Sequence, residues 1–200
     1  MAVNDFNFIA PFYDVLARIV FGNAILKAQT THLSEINEND QVLILGGGTG
    51  KLLEHIPFCD RVDYVEKSEK MIRIAKRRLV NRSVNFVNHD FLNWKSATTY
   101  DVIVCPFFLD CFDRTNLKLA INKCNQLTKD GGILIVSDFE KAASSRVLQG
   151  IMHLFFSLIS NLESKNLKKI DDFVISGGFQ LIDEKFLHRN QLFSRLYRNL

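Results

Sequence analysis

The chain has 200 residues, enough for one domain with a full-sized hydrophobic core. Apolar residues make up 47% of it and charged residues 24%, a balance that excludes an intrinsically disordered protein. The net charge of +3 is too small for a protein that follows nucleic-acid phosphates, so we expect no nucleic-acid partner.

The cysteines and the apolar stretches also limit the class of protein. The four cysteines form no Cys-x-x-Cys pair and have no histidine-rich partner segment, which predicts reduced thiols, no metal site and a cytoplasmic location. The most apolar stretch, Val147 to Leu162, is shorter than the ~20 residues that span a bilayer. We therefore expect no transmembrane segment, whereas peripheral contact with a membrane stays open.

Helical patterns precede the first predicted strand. Pro11 is placed to start a helix and Gly22 to end it. The apolar residues on one face of that helix are Phe12, Leu16, Ile19 and Val20. A helical pattern resumes from Ala24 to Leu33, so residues 1–40 are predicted to form a helical cap.

Short β-branched runs alternate with helical patterns from residue 41 onward. The runs predict buried strands at Gln41–Leu45, Val62–Glu66, Val84–Asn88, Asp101–Cys105 and Ile133–Ser137. Helical patterns lie at Lys51–Ile56, Ser68–Leu79 and Arg114–Leu127. Ser68 is a predicted N-cap, and Asp130–Gly132 is a predicted turn into the fifth strand. This alternation predicts parallel strands with helices on both faces of a sheet, here over residues 41–140.

The pattern changes after residue 140. Residues 141–178 carry apolar side chains at helical spacing, and residues 179–200 contain two strand-like runs, Phe179–Leu187 and Gln191–Tyr197. Only His188-Arg189-Asn190 joins these runs, which is too short for a crossover, so the two strands should be antiparallel. The predicted fold is α/β and doubly wound, with a mostly parallel seven-stranded sheet that ends in an antiparallel hairpin.

A glycine-rich loop follows the first strand, in the run Val42-Leu43-Ile44-Leu45-Gly46-Gly47-Gly48-Thr49-Gly50-Lys51. Glycines permit a tight turn and the close approach of a ligand, and the amides that start the next helix favour an anionic or polar group. The loop is not a P-loop, because Gly46 and Gly50 enclose only three residues and Leu52 replaces the magnesium-binding hydroxyl. A dinucleotide fingerprint fits poorly, because its third glycine position falls on Lys51.

An acidic residue ends the second strand. Glu66 follows Gly46 by about 20 residues, the separation at which an acid accepts hydrogen bonds from ribose hydroxyls. Dehydrogenases share this device, so Glu66 indicates an adenosine ribose without choosing between cofactors.

The glycine spacing Gly46, Gly48, Gly50 resembles the first motif of the class I S-adenosylmethionine-dependent methyltransferases. From about Tyr13 to the C-terminus, segments similar to those of the family occur in family order: VLILGGGTG, VDYVEKSEKMI, FVNHDF, YDVIVCPFF, LTKDGGILIVSDF and GGFQLIDEKFL. The resemblance implies a Rossmann-like fold, S-adenosylmethionine as cofactor and methyl transfer to a small molecule. The layout is similar to that of ubiquinone/menaquinone-type and phospholipid N-methyltransferases.

The resemblance also implies a set of cofactor-binding residues. They are Tyr13, Gly46, Gly47, Gly48, Gly50, Glu66, Lys67, Met71, Asp90, Phe91 and Pro106. In this set, Asp90 would contact the adenine amino group, Phe91 would lie near the ring, and Tyr13 would lie in a helix that covers the cofactor. An ionised carboxylate only accepts hydrogen bonds, which suits an exocyclic amine, but Asp90 has the alternative role of capping the turn at Phe91–Trp94. Met71 has the alternative of being plain core.

The sequence departs from the family pattern in two places. Ile44 stands where many relatives have an acid two positions before the first loop glycine. Cys105-Pro106-Phe107-Phe108 replaces the Asn/Asp-Pro-Pro-Tyr/Phe of enzymes that methylate amino groups of nucleic acids and proteins, which argues against those substrates. The glycine triplet also resembles polyamine synthases, but those have acids at the end of the fourth strand, and Asp110 lies too far along the chain to replace them.

The acceptor region of the predicted site is apolar, which favours a small lipophilic or aromatic acceptor. The residues expected around the methyl group are Phe107, Phe108, Phe139, Met152, Phe155 and Phe156. A general base is needed only if the acceptor loses a proton, so no catalytic residue is assigned. Four residues are unranked candidates for that base: His153, Asp110, Asp138 and His188.

Several alternatives stay open at this point. Lys141 to Ile170, within the predicted helices at residues 141–178, is expected to form a lid and acceptor wall, with a packed helix or a dimer interface as the alternative. A nicotinamide-dependent oxidoreductase and a cofactor-binding protein without methyl transfer remain as rival functions. The chain is expected to be a monomer or a homodimer.

Overall fold

A computed structural model describes residues 14–15, 18, 21–78, 83–140 and 170–200. Within them, seven strands form one sheet in the order β3-β2-β1-β4-β5-β7-β6. The strands are β1 Gln41–Leu45, β2 Arg61–Glu66, β3 Asn85–Asn88, β4 Tyr100–Pro106, β5 Thr128–Phe139, β6 Phe179–Leu187 and β7 Leu192–Asn199. Strands β1 to β5 are parallel, and β7 pairs antiparallel with both β5 and β6. The predicted doubly wound α/β fold with a terminal antiparallel hairpin is confirmed.

Helices and short turns connect the strands. The described α-helices are α1 Ala24–Thr30, α2 Glu69–Arg78, α3 Arg114–Leu127 and α4 Ile170–Ser176. Single turns of 3-10 helix lie at Leu33–Glu35, Lys51–His55 and Leu109–Cys111. The backbone N–H of Met71 donates to Ser68 Oγ over 3.2 Å, so Ser68 caps α2 as predicted. Gly22 has a φ of +58°, and its N–H donates to the carbonyl of Arg18, as expected for a residue that ends a helix.

The sheet is covered on both faces, which explains why its central strands are apolar throughout. Leu43 and Ile103 belong to one buried cluster with Leu117 and Ile121 of α3. The alternate residues of β1 and β4 belong to a second cluster on the opposite face, together with Leu52. Because the parallel strands all end at one edge, the segments that follow β1 to β5 meet there.

The predicted turn at Asp130–Gly132 is wrong. Helix α3 ends at Leu127 and β5 begins at once, with Thr128 paired to Tyr100 before the register shifts to Ile133 against Val102. Gly131 and Gly132 permit this register shift inside the strand. Gly131 has a φ of +72°, and a Cβ on Gly132 would lie 2.9 Å from the carbonyl oxygen of Asp101.

The C-terminal hairpin is joined to the N-terminal part of the chain by a buried histidine. His32 Nδ1 lies 2.9 Å from Ser194 Oγ, and its Nε2 lies 3.3 Å from Asp183 Oδ2. His32 and Ser194 are both buried, whereas the Asp183 side chain is 43% exposed, so the three side chains connect these elements from the interior to the surface.

Several predictions fall outside the described residues. They concern Tyr13, Leu79, His153 and the predicted lid over residues 141–169. The described part of the chain contains no helix long and apolar enough to cross a bilayer. Its four cysteines form no disulfide with one another, and no group of three or more His, Cys, Asp or Glu is placed to hold a metal ion in those same ranges.

Candidate functional site

Packing restricts the glycine loop after β1 at three positions: Gly46, Gly50 and also Gly47, where a Cβ would lie 2.5 Å from the Tyr64 side chain. Gly46, Gly48 and Gly50 have φ values of +64°, +62° and +77°, a region that residues with side chains rarely adopt. A Cβ on Gly46 would lie 2.4 Å from the ring of Phe108, and one on Gly50 would lie 2.6 Å from Ala75 Cβ. The fold itself therefore requires glycine at both ends of the loop.

Gly48 differs from its neighbours. No described residue lies within 4 Å of a Cβ built on it, so none of the described residues packs against this side of the loop. Behind the loop, the buried Tyr64 donates its hydroxyl to the Gly48 carbonyl over 2.9 Å. Tyr64 was missed at the sequence level, where it is one more apolar residue of a strand, and burial raises the pKa of its hydroxyl well above the ordinary value.

Glu66, for which the sequence predicts a role in binding ribose, contacts the glycine loop. Its Oε2 accepts the Gly48 N–H over 3.2 Å, and its Oε1 accepts the Ser68 N–H over 2.8 Å. The residue is only 7% exposed. Burial raises the pKa of the carboxyl, although the backbone N–H bonds partly oppose this. A carboxylate has about four acceptor positions, so Glu66 retains acceptor capacity.

Asp90 lies just beyond β3 and has the capping role that was its alternative. Its Oδ1 accepts the Leu92 N–H over 3.0 Å, and its Oδ2 lies 2.8 Å from Lys67 Nζ. Partial burial alone would raise the pKa of this carboxyl, but the bonds from Lys67 and Leu92 outweigh it and the pKa falls below its ordinary value. Asp90 therefore stays ionised, beside the strand that carries Glu66.

A lysine that the sequence analysis did not single out stabilises the turn after Asp90 by hydrogen bonds to its backbone. Lys123 of α3 donates to the carbonyls of Phe91 (2.6 Å), Leu92 (3.2 Å) and Trp94, and its Nζ lies 4.9 Å from the centre of the Phe91 ring. Phe91 is 4% exposed and packs edge-on against Phe108. It is therefore mostly core, as is Met71 at 2% exposure.

Two carboxyl groups meet where β4 and β5 end. The fully buried Asp138 accepts the Asp110 N–H through Oδ2 over 3.2 Å and the Phe139 N–H through Oδ1 over 2.8 Å. Burial raises the pKa of Asp110 to about 6. Burial, together with the charge of Asp110, raises the pKa of Asp138 well above its ordinary value.

Asp110, one of the four unranked candidates for a base, lies beside Asp138 although it follows the end of β4 by four residues. Phe107, directly after Pro106, has a φ of +54° and donates its N–H to the Ser137 carbonyl over 2.7 Å. The chain therefore turns back, and the following 3-10 turn brings Asp110 onto Asp138. The rings of Phe107 and Phe139 lie 5.0 Å apart beside this pair. His188 lies elsewhere, at the β6–β7 turn near Phe21.

Residues 42–132 match a family model described as a methyltransferase domain. This match covers just under half of the chain and supports the class I S-adenosylmethionine-dependent methyltransferase family that the sequence motifs resemble. A ubiquinone/menaquinone biosynthesis C-methyltransferase from Teredinibacter turnerae is 27% identical over 152 residues, which cover 70% of this chain and 60% of that relative. The chain thus spans about 60% of the length of such curated relatives.

Solved structures of the methyltransferase family share the fold. A methyltransferase from Clostridium acetobutylicum superposes with a TM-score of 0.73 at 14% identity, over 96% of this chain and 99% of that one. The N-methyltransferase NodS from Bradyrhizobium japonicum, solved with S-adenosyl-L-homocysteine, gives 0.64 at 17% identity, over 94% and 97%. The predicted Rossmann-like fold class is confirmed at this level.

Proposed function

We propose that the chain transfers a methyl group from S-adenosylmethionine to a small acceptor. One observation carries the proposal: the Gly48 N–H and the Glu66 carboxylate meet beside a space that no described residue fills. A Cβ at Gly48 would enter that space, which fits a ligand lying against the backbone. The match to the methyltransferase domain supports the same function.

Each residue on the cofactor side of the site (Gly46–Gly50, Glu66 and Asp90) has a role that suits this cofactor. Glu66 would accept the ribose hydroxyls and Asp90 the adenine amino group, because ionised carboxylates only accept hydrogen bonds. The remaining proposed contacts are Lys67, Met71, Phe91 and Pro106, with Tyr13 outside the described residues. The cofactor supplies an electrophilic methyl group, and the chain mainly orients the reactants and excludes water.

The acceptor side (Phe107–Asp110, Asp138 and Phe139) favours a small acceptor that is partly aromatic or lipophilic. Phe107 and Phe139 offer apolar surface, and Asp110 is a carboxyl that is mostly ionised at neutral pH. We assign Asp110 as the group that takes the proton when the acceptor loses one, because a pKa near 6 suits a general base. Asp138 holds the backbone of Asp110 in place.

Binding of S-adenosylhomocysteine tests the cofactor assignment. Titration calorimetry with this ligand should give saturable binding, whereas a nicotinamide dinucleotide should not bind. The Glu66→Gln variant should bind it about tenfold more weakly, since it loses charge-assisted bonds to two hydroxyls. Glu69→Gln, an exposed acid in the next helix, is the matched control and should bind normally. A wild-type protein that prefers the dinucleotide would remove the proposed function.

Labelled methyl transfer to a metabolite extract would identify the acceptor class. With an acceptor in hand, Asp110→Asn should lower kcat by about 10²-fold or more at neutral pH. It should leave the affinity for S-adenosylhomocysteine unchanged. The wild-type rate should rise through about pH 6, and a rate independent of pH in that range would rule out Asp110 as the base.

A further inference from the structure

The N-terminal segment contacts the glycine loop through one aspartate. Asp14 Oδ1 accepts the hydroxyl of Thr49 over 2.7 Å, and its Oδ2 pairs with Arg78. Lys51 Nζ lies 3.9 Å from the same carboxylate. Two cations and a hydroxyl thus surround Asp14, which lies more than thirty residues before the loop in the sequence.

Arg78 approaches the same loop residue from the other direction. As the last residue of α2, it donates from Nε to the Thr49 carbonyl over 2.8 Å, and a terminal nitrogen lies 3.3 Å from Glu54. Thr49 is therefore held at its hydroxyl by Asp14 and at its carbonyl by Arg78. Thr49 is 4% exposed, whereas the side chains of Asp14 and Arg78 are 21% and 25% exposed, so these contacts are partly shielded from water.

Thr49 stands between two glycines in the left-handed region, Gly48 and Gly50. Glycine restricts the backbone less than any other residue, so the loop needs outside contacts to keep one conformation. On the far side, Tyr64 already holds the Gly48 carbonyl. The contacts of Thr49 with Asp14 and Arg78, here called the grip, restrict the backbone conformation in the second half of the loop.

We propose that Asp14 and Arg78 are positioning residues, which hold the glycine loop in the conformation that binds the amino-acid end of the cofactor. This rests on the proposed function, because it assumes that this end lies against the loop. If the binding-ready loop is less populated, the apparent affinity falls by the same fraction. The adenosine end contacts Glu66 and Asp90 instead, so its affinity should depend little on the grip.

The test compares two ligands across four variants. S-adenosylhomocysteine and adenosine are titrated into Asp14→Asn, Arg78→Gln, the double variant and Thr49→Val. Each single variant should weaken S-adenosylhomocysteine binding about tenfold and change adenosine binding less than twofold. The double variant should be no worse than the worse single one, because the two residues act through one loop residue.

Two controls separate positioning from general stability. Glu54→Gln removes only the exposed partner of Arg78 and should bind both ligands normally. Thr49→Ser keeps the hydroxyl and should retain near wild-type affinity, whereas Thr49→Val should not. Thr49→Val changes no charge, so it tests the same contact if the ionic variants fail to fold.

The outcomes distinguish the inference from the function. Equal weakening of both ligands, or unchanged S-adenosylhomocysteine binding in folded variants, would overturn the positioning role alone. A wild-type protein that binds no S-adenosylhomocysteine would overturn the proposed function and the inference with it. A drop in melting temperature without any change in affinity would assign the grip to stability only.

Discussion

The cofactor side and the acceptor side of the site differ in how clearly sequence motifs mark them. The cofactor side consists of Gly46–Gly50, Glu66 and Asp90, at or just beyond the ends of three neighbouring strands, and it relies on backbone amides and two carboxylates. The acceptor side joins Asp110 to Asp138 and Phe107 to Phe139 across the ends of β4 and β5. Both sides need contacts between segments that are distant along the chain, but the spacing of the glycines and Glu66 marks the first side, whereas no motif marks the second.

The strongest test of this comparison is the glycine that packing does not require. Gly48→Val should abolish S-adenosylhomocysteine binding, at least about 100-fold by calorimetry, because the side chain would enter the open space beside Glu66. The variant should still fold, with a cost of about 1–3 kcal/mol for its left-handed backbone. Gly50→Val is the contrasting variant and should lose much more stability, since its Cβ meets Ala75. Normal affinity in Gly48→Val would place the ligand elsewhere.

A second test concerns the support behind the acceptor side. Arg195 of β7 is buried and pairs with Glu140 (3.0 Å), Glu184 (3.0 Å) and Asp171 (3.1 Å). Arg195→Met should lower the free energy of unfolding in urea by about 1–3 kcal/mol, because it removes charge-assisted bonds to carboxylates that are themselves partly exposed. Arg198→Met, an exposed arginine of the same strand, is the control. Cofactor affinity per folded molecule should not change, and a large loss of affinity would contradict the separation of the two sides.

The carboxyl pair should also make stability depend on pH. The pKa values of Asp110 and Asp138 are raised in the folded state, so the folded protein binds more protons than the unfolded chain above about pH 4. The resulting contribution to the free energy of unfolding is complete below the pKa that these carboxyls have in the unfolded chain, and it is lost as the pH rises through about 6 and beyond. Asp138→Asn should therefore flatten the decline between pH 5 and 8 and melt several degrees higher at pH 8. Parallel pH curves for wild type and variant would show that the pair does not titrate in this range.

The smallest expected effect lies at the adenine end of the cofactor side. Lys123→Met removes three hydrogen bonds to the turn after Asp90 while keeping the length of the side chain. Adenosine affinity should fall roughly threefold, because the turn that carries Asp90 is held less firmly. Lys118→Met, on the exposed face of the same helix, should have no effect. A change confined to the melting temperature would leave Lys123 as a purely structural residue.

Sequence patterns predicted what depends on neighbouring residues. Strands β1 and β6 have the expected bounds, and Ser68 caps α2. The failures share a cause. At Asp130–Gly132 the glycines were interpreted as a turn, but they permit a register shift inside β5. Whether a glycine turns the chain or bends a strand depends on its partner strand, which the local sequence does not contain.

The missed site residues depend in the same way on distant partners. Tyr64 and Lys123 act on backbone carbonyls of other segments, and no motif marks a side chain with that role. Asp110 was an unranked candidate for the base, and its contact with Asp138 depends on the path of the chain after Phe107, whose φ is +54°. A positive φ at a phenylalanine cannot be anticipated from residue preferences, because surrounding structure must impose it.

The three loop glycines with positive φ also bear on how the sequence can change in related chains. A side chain at Gly46 would clash with Phe108 and one at Gly50 would clash with Ala75, so a related chain that keeps the fold must keep both residues small. No described residue makes such a contact with Gly48, so the proposed ligand in the space beside Glu66 is what would limit the size of this residue. A lineage that abandoned its ligand would be free to place asparagine there, a residue that tolerates the left-handed backbone. Glycine at position 48 of a related chain would therefore indicate that ligand binding is retained, whereas glycine at positions 46 and 50 would indicate only that the fold is retained.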